Sequence, residues 1–280
     1  MEKALVDQFV QKIYSIFNQL HAQRELCPNA TISTLFSSLV DLVLTSDSSI
    51  SNEVIGKLQQ DGTLQSLIDL CCAGEIELER YWANQIISGE KDIREFPYYG
   101  NYAQLTDFEL QQLREYIDLD GKKLLFIGNG ALPLTAIMFK EKKPSLEIRC
   151  IDRDKEFVEY AKRLLLRLGI SDIYVSHHDI SDLDALVQSE ISISEIVFIA
   201  ALVGSSSQQK NTILSNMHPY TIPASLIAVR SVPEDMRRLV YPKFELEDRL
   251  KVKYKTLGEY ALPRETHVIN SLVILSTLKE

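Results

Sequence analysis

Two glycines separated by one residue follow a short apolar run in Phe126-Ile-Gly-Asn-Gly-Ala-Leu-Pro-Leu-Thr135. Glycine allows backbone conformations closed to other residues and lets a ligand approach closely. Gly128 and Gly130 after a strand therefore suit the phosphate or ribose end of a nucleotide. Pro133 stands where a dinucleotide site has its third glycine. Asp152 lies 24 residues beyond Gly128, close to the roughly 20-residue spacing of a ribose-binding acid. Asp179 ends a third apolar run, where it can meet an adenine amino group, and Ala200-Ala201 closes a fourth. A G-x-G loop with an acid after each of two strands fits S-adenosylmethionine better than a dinucleotide, because no third glycine admits a pyrophosphate. The expected nucleoside contacts are Gly128, Gly130, Pro133, Leu134, Thr135, Asp152, Asp179, Ala200 and Ala201. The alternative is that the glycines only make a turn and the acids are solvated.

No metal chemistry is expected. Cys27, Cys71, Cys72 and Cys150 contain no C-x-x-C pair, and His21, His177, His178, His218 and His267 do not stand beside them in ligand spacing. His177 and His178 are adjacent strand residues, which point to opposite faces, and read as polar strand-end residues. The thiols read as reduced, in a cytoplasmic protein. With 30 Lys+Arg against 39 Asp+Glu the net charge is -9, which argues against a nucleic-acid partner. No apolar run reaches the roughly 18 residues of a membrane span, and the first 17 residues carry charge inside their apolar pattern, unlike a signal peptide. The expected partners are small molecules.

The elements that must position these groups follow from periodicity. The chain has 280 residues, 45% hydrophobic, enough for a real core. Val6, Phe9, Val10, Ile13, Ile16, Phe17 and Leu20 recur at helical steps. Residues 31–44, 54–60 and 64–87 continue as helices, the last ended by Gly89. Thr106-Asp-Phe-Glu109 reads as a capping box opening a helix through Tyr116. Beyond Asp120-Gly121 the pattern changes. Apolar runs at 124–127, 148–151, 173–176, 196–200 and 226–229 alternate with helical stretches at 134–140, 155–168, 182–188 and 208–217. That alternation predicts a doubly wound parallel sheet, with residues 251–257 and 271–277 as antiparallel strands at one edge. The expected fold is thus α/β: an all-helical N-terminal domain (1–119) before a Rossmann-like domain (120–280) of the S-adenosylmethionine-dependent transferase type.

At this point the chain resembles the nicotianamine synthases of plants and archaea. The stretches that carry the resemblance are Leu70-Cys71 with Glu75 and Leu78-Glu79; Phe96-Pro-Tyr-Tyr-Gly-Asn-Tyr102; residues 126–135; Phe198-Ile-Ala-Ala-Leu-Val-Gly204; Val229-Arg-Ser231 with Tyr241-Pro242; and Ile269-Asn-Ser271. Bacterial opine-metallophore synthases are more distantly similar. The resemblance implies transfer of the 3-amino-3-carboxypropyl group of S-adenosylmethionine to an amine, with 5′-methylthioadenosine leaving. It implies nicotianamine or a related metal-chelating product and the donor as substrate rather than resident cofactor; the oligomeric state is left open, a homodimer being one option.

That chemistry needs a base, because the acceptor amine arrives as an ammonium. The resemblance points to Glu75, on the long helix with Cys71, Leu78 and Trp82, and to Tyr102, facing the reacting amine; Tyr99 is expected to help line the pocket. Taken alone, Glu75 reads more readily as a solvated glutamate beside Glu77 and Glu79, because glutamates are mostly exposed. Arg230, at the end of strand five, either grips an amino-acid carboxylate or pairs with Glu234 or Asp235. Arg237 matches the family arginine on counting back from Tyr241, with Arg238 as the alternative. One extra residue separates Arg230 from Tyr241 here, and Val232-Pro-Glu-Asp235 is more acidic than the family's stretch. Competing functions are a small-molecule methyltransferase of the same fold and a non-catalytic binding module.

Overall fold

A computed structural model describes residues 2–278. Five helices precede the first strand: α1 (Glu2–His21), α2 (Ala30–Thr45), α3 (Ser51–Gln60), α4 (Thr63–Ser88) and α5 (Tyr99–Arg114). The stripe Val6, Phe9, Val10 and Ile13 is buried against Leu39 and Val43 of α2 and Val54 and Leu58 of α3. Asn29 starts α2 by accepting from the Ile32 N–H at 3.0 Å, the usual work of an N-cap. Gly89, in the left-handed region, closes α4.

The remaining elements alternate: β1 (Lys123–Ile127), α6 (Leu134–Lys142), β2 (Glu147–Asp152), α7 (Lys155–Arg167), β3 (Ile173–His177), α8 (Ala185–Ile193), β4 (Ile196–Ile199), α9 (Ser207–Met217), β5 (Leu226–Ser231), β6 (Tyr254–Ala261) and β7 (Ser271–Thr277). The strand order is β3-β2-β1-β4-β5-β7-β6. The first five are parallel, while β7 runs antiparallel to both β5 and β6. The order reverses between β1 and β4, the switch point at which such sheets bind ligands.

Side chains alternate across the sheet. Leu124, Phe126 and Phe198 face one side, with α4, α5, α6 and α7 laid over them. Leu125, Ile127, Val197 and Ile199 face the other, under α8 and α9. Two of the five N-terminal helices thus pack directly on the sheet. Phe126 and Phe198 stack across β1 and β4 at 5.0 Å, and Phe139 meets Phe198 edge-on at 5.6 Å.

One start signal was misplaced. Thr106 and Glu109 open no helix, because α5 already begins at Tyr99. Thr106 donates to the carbonyl of Ala103 at 3.1 Å, and Glu109 is turned into the core. The capping box in this region is Asp92 with Glu95, which starts a short 3-10 turn ahead of Phe96.

Candidate active site

A cavity of about 570 Å³ opens at the carboxyl edge of β1, β2 and β4. Every residue expected to contact the nucleoside lines it: Gly128, Gly130, Pro133, Leu134, Thr135, Asp152, Asp179, Ala200 and Ala201. Gly128 and Gly130 are left-handed, at φ 83 and 64. A β-carbon would overlap Val203 at the first and Glu79 at the second. The Gly128 N–H donates to Ile151 at 2.8 Å. The Gly130 N–H donates to Asp152 Oδ2 at 2.9 Å, and the Asp154 N–H to Oδ1 at 3.0 Å. Burial pushes the Asp152 carboxyl up, and these two N–H groups oppose it. Gly130→Ala is expected to weaken binding of a nucleoside such as 5′-methylthioadenosine roughly five- to 150-fold, from the 1–3 kcal/mol that a left-handed non-glycine residue costs. An unchanged Kd by calorimetry would count against the tight fit of this loop.

A second cavity of about 220 Å³ adjoins the first and is lined by residues of α2, α4 and α5. Its wall toward the first is shared: Glu75, Glu79, Tyr102 and Asn270 line both. Glu75 accepts from the Tyr241 hydroxyl and from Tyr102. Burial pushes the Glu75 carboxyl up; the Tyr241 bond, the Arg230 charge and Tyr102 work against it. Glu79, one turn on, is held well above the carboxylate range by burial and then by the charge of Glu75, with the Leu132 N–H opposing. Burial also raises Tyr102 and Tyr241. Phe96 braces Tyr102 edge-on at 6.2 Å. Asn129 Oδ1 and Asn270 Nδ2 are buried without hydrogen-bond partners, an acceptor and a donor beside the cavities.

Arg230 has a partner in the structure that the sequence reading did not name. It lines the larger cavity but bonds Glu109 at both oxygens, at 2.7 and 2.9 Å, and Thr135 at 2.8 Å. Its guanidinium sits over the rings of Tyr102 and Phe198, at 5.8 and 5.3 Å. Burial alone would lower its pKa; the Glu109 carboxylate overrides this and raises it.

Two expected contacts fall outside both cavities. Tyr99 lines neither. The onset of α5 turns Tyr98 and Tyr102, four residues apart, to one face, so Tyr98 lines the second cavity instead. Arg237 is the inward arginine of its pair, yet it grips Asp235, Leu262 and Val268 and shapes the loop rather than reaching a cavity. Arg238 turns outward to Glu234.

Sequence reasoning missed Glu79, Tyr241 and Glu109. Spacing was the available signal for the first. Glu75 and Glu79 share a helix face at i,i+4, while Glu77 turns away to Arg80 at 2.9 Å. His178, read as a polar strand end, also lines the larger cavity, 2.7 Å from Asp184. Among the described residues no cluster of His, Cys, Asp and Glu could hold a metal ion, and no helix is long and apolar enough to cross a membrane.

Comparison with known proteins adds the following. The model of the nicotianamine synthase protein family matches residues 1–280. Nicotianamine synthase 2 of Arabidopsis thaliana is 28% identical over 275 residues, covering 96% of this chain and 83% of that protein. Nicotianamine synthase 2 of Oryza sativa subsp. japonica is 27% identical over 276 residues, covering 96% and 82%. The crystal structure of MtNAS in complex with MTA and tNA superposes with a TM-score of 0.78 at 19% identity, over 98% of both chains. A glutamate-to-glutamine variant of MtNAS in complex with S-adenosylmethionine gives the same score at 19% identity, over 97% of this chain and 98% of that one.

Proposed function

The chain belongs to the nicotianamine synthase family, and from that premise we propose how its two cavities divide the work of an S-adenosylmethionine-dependent 3-amino-3-carboxypropyltransferase. The donor takes the larger cavity, its ribose hydroxyls on Asp152, its base beside Asp179, and its backbone partners the glycine loop and residues 200–203. The acceptor amine comes from the smaller, more apolar cavity. The observation that carries this reading is the wall of Glu75, Glu79 and Tyr102 common to both. A nucleophile on one side and an electrophilic carbon on the other meet only there.

The acceptor nitrogen attacks the donor carbon γ to the carboxylate. The carbon–sulfur bond breaks, its electron pair stays on sulfur, and 5′-methylthioadenosine leaves neutral, so no acid is needed. The acceptor ammonium must first lose a proton, and the Glu75–Glu79 pair takes it. Two buried neighbouring carboxylates cannot both ionise freely, which raises the pair above the ordinary carboxylate range and makes it a better base. Tyr102 and Tyr241 hold Glu75 in place. The amide groups of Asn129 and Asn270 suit the ammonium and carboxylate of an amino acid. Strict positioning matters because the methyl carbon competes for the same nucleophile.

The product is nicotianamine or a related polycarboxylate amine, and any metal is that product's ligand. The reading keeps a division of labour near residue 120, with helices handling acceptor and proton and the sheet holding the donor. It also keeps a reducing, cytoplasmic setting, which the four free cysteines support. Mass spectrometry of the purified protein with S-adenosylmethionine, alone and then with glutamate or histidine, tests it. 5′-Methylthioadenosine supports the transfer; S-adenosylhomocysteine would mean methyl transfer and overturn it. Tyr102→Phe is expected to lower kcat roughly ten- to hundredfold, less than loss of the base itself would, because the tyrosine acts by holding Glu75, with donor KM little changed.

A further inference from the structure

Lys210 has no place in the chemistry above. It lies in the first turn of α9 and is 0% exposed. Lysine is almost never fully buried, and a cation at a helix N-terminus is opposed by the helix dipole. Among the described residues it forms no ion pair. Its ammonium instead donates to three backbone carbonyls: Ala200 at 2.9 Å, Ala201 at 3.0 Å and Val203 at 2.8 Å. All of its donors are used.

Those three carbonyls belong to one turn, the loop leaving β4, and the loop lines the larger cavity. The chain then reverses over the lysine at Gly204, φ 75, where a β-carbon would sit 3.4 Å from Lys210 Cγ. The same loop is tied to the glycine loop. The Ala200 N–H donates to Ile127 at 3.1 Å, and the Val203 side chain fills the space that a β-carbon on Gly128 would need. One buried cation thus joins two walls of the cavity.

We propose that Lys210 is a positioning residue whose ammonium holds residues 200–203 in the shape that receives the donor's nucleoside, so that nucleoside binding depends on that charge. The inference rests on reading the larger cavity as the donor site. The charged and titratable groups facing Lys210 are Cys72 on α4 and Arg230 on β5. Burial lowers the lysine to about 7, and Arg230 acts in the same direction. Cys72, itself pushed up to about 12 by burial, stays a neutral thiol. The three carbonyls work against the loss of the proton. The hold is complete below the lysine's folded pKa and is lost as pH rises through it. Ionisation of Glu75 and Glu79, both raised by burial, would favour a sulfonium as pH rises, which is the opposite trend. The neutral product 5′-methylthioadenosine is therefore the cleaner probe.

Calorimetric titration of 5′-methylthioadenosine into the whole protein between about pH 6 and 9 tests this. The wild-type Kd is expected to weaken as pH rises past neutrality, by roughly tenfold per unit once the lysine is deprotonated. Lys210→Met is expected to bind at least tenfold more weakly at pH 6.5, with no pH dependence, and to raise donor KM more than it lowers kcat. Lys210→Arg, which keeps the charge but not the compact three-donor head, recovers part of the affinity. If Lys210→Met fails to fold, the wild-type profile decides alone. A flat wild-type profile, or wild-type affinity in folded Lys210→Met, overturns the proposal and leaves the donor site standing. Absence of binding at every pH removes the donor-site reading and this proposal together.

Discussion

In the Glu75→Gln, Glu79→Gln double variant, turnover falls by roughly 10²–10⁴-fold, the usual contribution of a positioned general base. The fold is kept, because glutamine matches glutamate in size and the uncharged amide is cheaper to bury. Each single variant loses less than the double, since either carboxylate can accept the proton that the other would have taken, and effects within such a unit are not additive. The pH profile tells the two apart. A base must be deprotonated, so kcat/KM in the wild type rises with pH through a pKa displaced upward from the carboxylate range by burial. The charge of Glu75 is one cause of the rise at Glu79. In Glu75→Gln the acid limb of the residual activity therefore moves to lower pH. Single-turnover rates that survive both substitutions would remove these residues from the chemistry. An acid limb that stays put in Glu75→Gln would break the electrostatic link between them.

Glu109→Gln is the largest expected loss of stability, about 3–5 kcal/mol, because it strips a buried arginine of the carboxylate it bonds. Glu109 is 0% exposed and Arg230 5%. At this chain length the loss corresponds to a fall of roughly 6–20 °C in the unfolding midpoint. Arg230→Met is expected to cost a similar amount, by leaving Glu109 charged and unpaired. Arg230→Met with Glu109→Leu should regain most of the stability, as apolar replacements of buried pairs do, without regaining activity, since Tyr102 has lost the guanidinium over its ring. Circular dichroism melts and kinetics on the wild type, Glu109→Leu, Arg230→Met and the double variant close the cycle. Additive losses in the double variant would mean that the two side chains do not act as a pair.

What the sequence disclosed was local. The five parallel strands are short apolar runs, the first three closed by Gly128, Asp152 and Asp179, and burial on both faces of a covered sheet requires such runs. The glycine loop, Asp152 and Asp179 could be found because they sit at fixed offsets from those strands. Glu75 and Tyr102 entered through the resemblance, not through periodicity. The misses share a cause. Thr106 and Glu109 have the spacing of a capping box, yet Glu109 answers to Arg230, which no local window contains. Tyr99 and Tyr98 differ only in which face of α5 they occupy, and that depends on a helix start hidden in an aromatic stretch without period. Lys210 looks like an ordinary surface residue of an amphipathic helix until β4 brings three carbonyls to it. Tyr241 reaches Glu75 from 166 residues away.

The Glu109–Arg230 pair also sets an order of events at the ribosome. At a synthesis rate of about 5–20 residues per second, the 121 residues between them take roughly 6–24 s to emerge. Through that interval α5 exists, but the cation that makes burial of Glu109 tolerable does not. The helix must wait in water, its apolar side uncovered, until β5 has been made and paired beside β4. The two helices that pack on the sheet, α4 and α5, are thus made first and seated only once the strands they cover have formed.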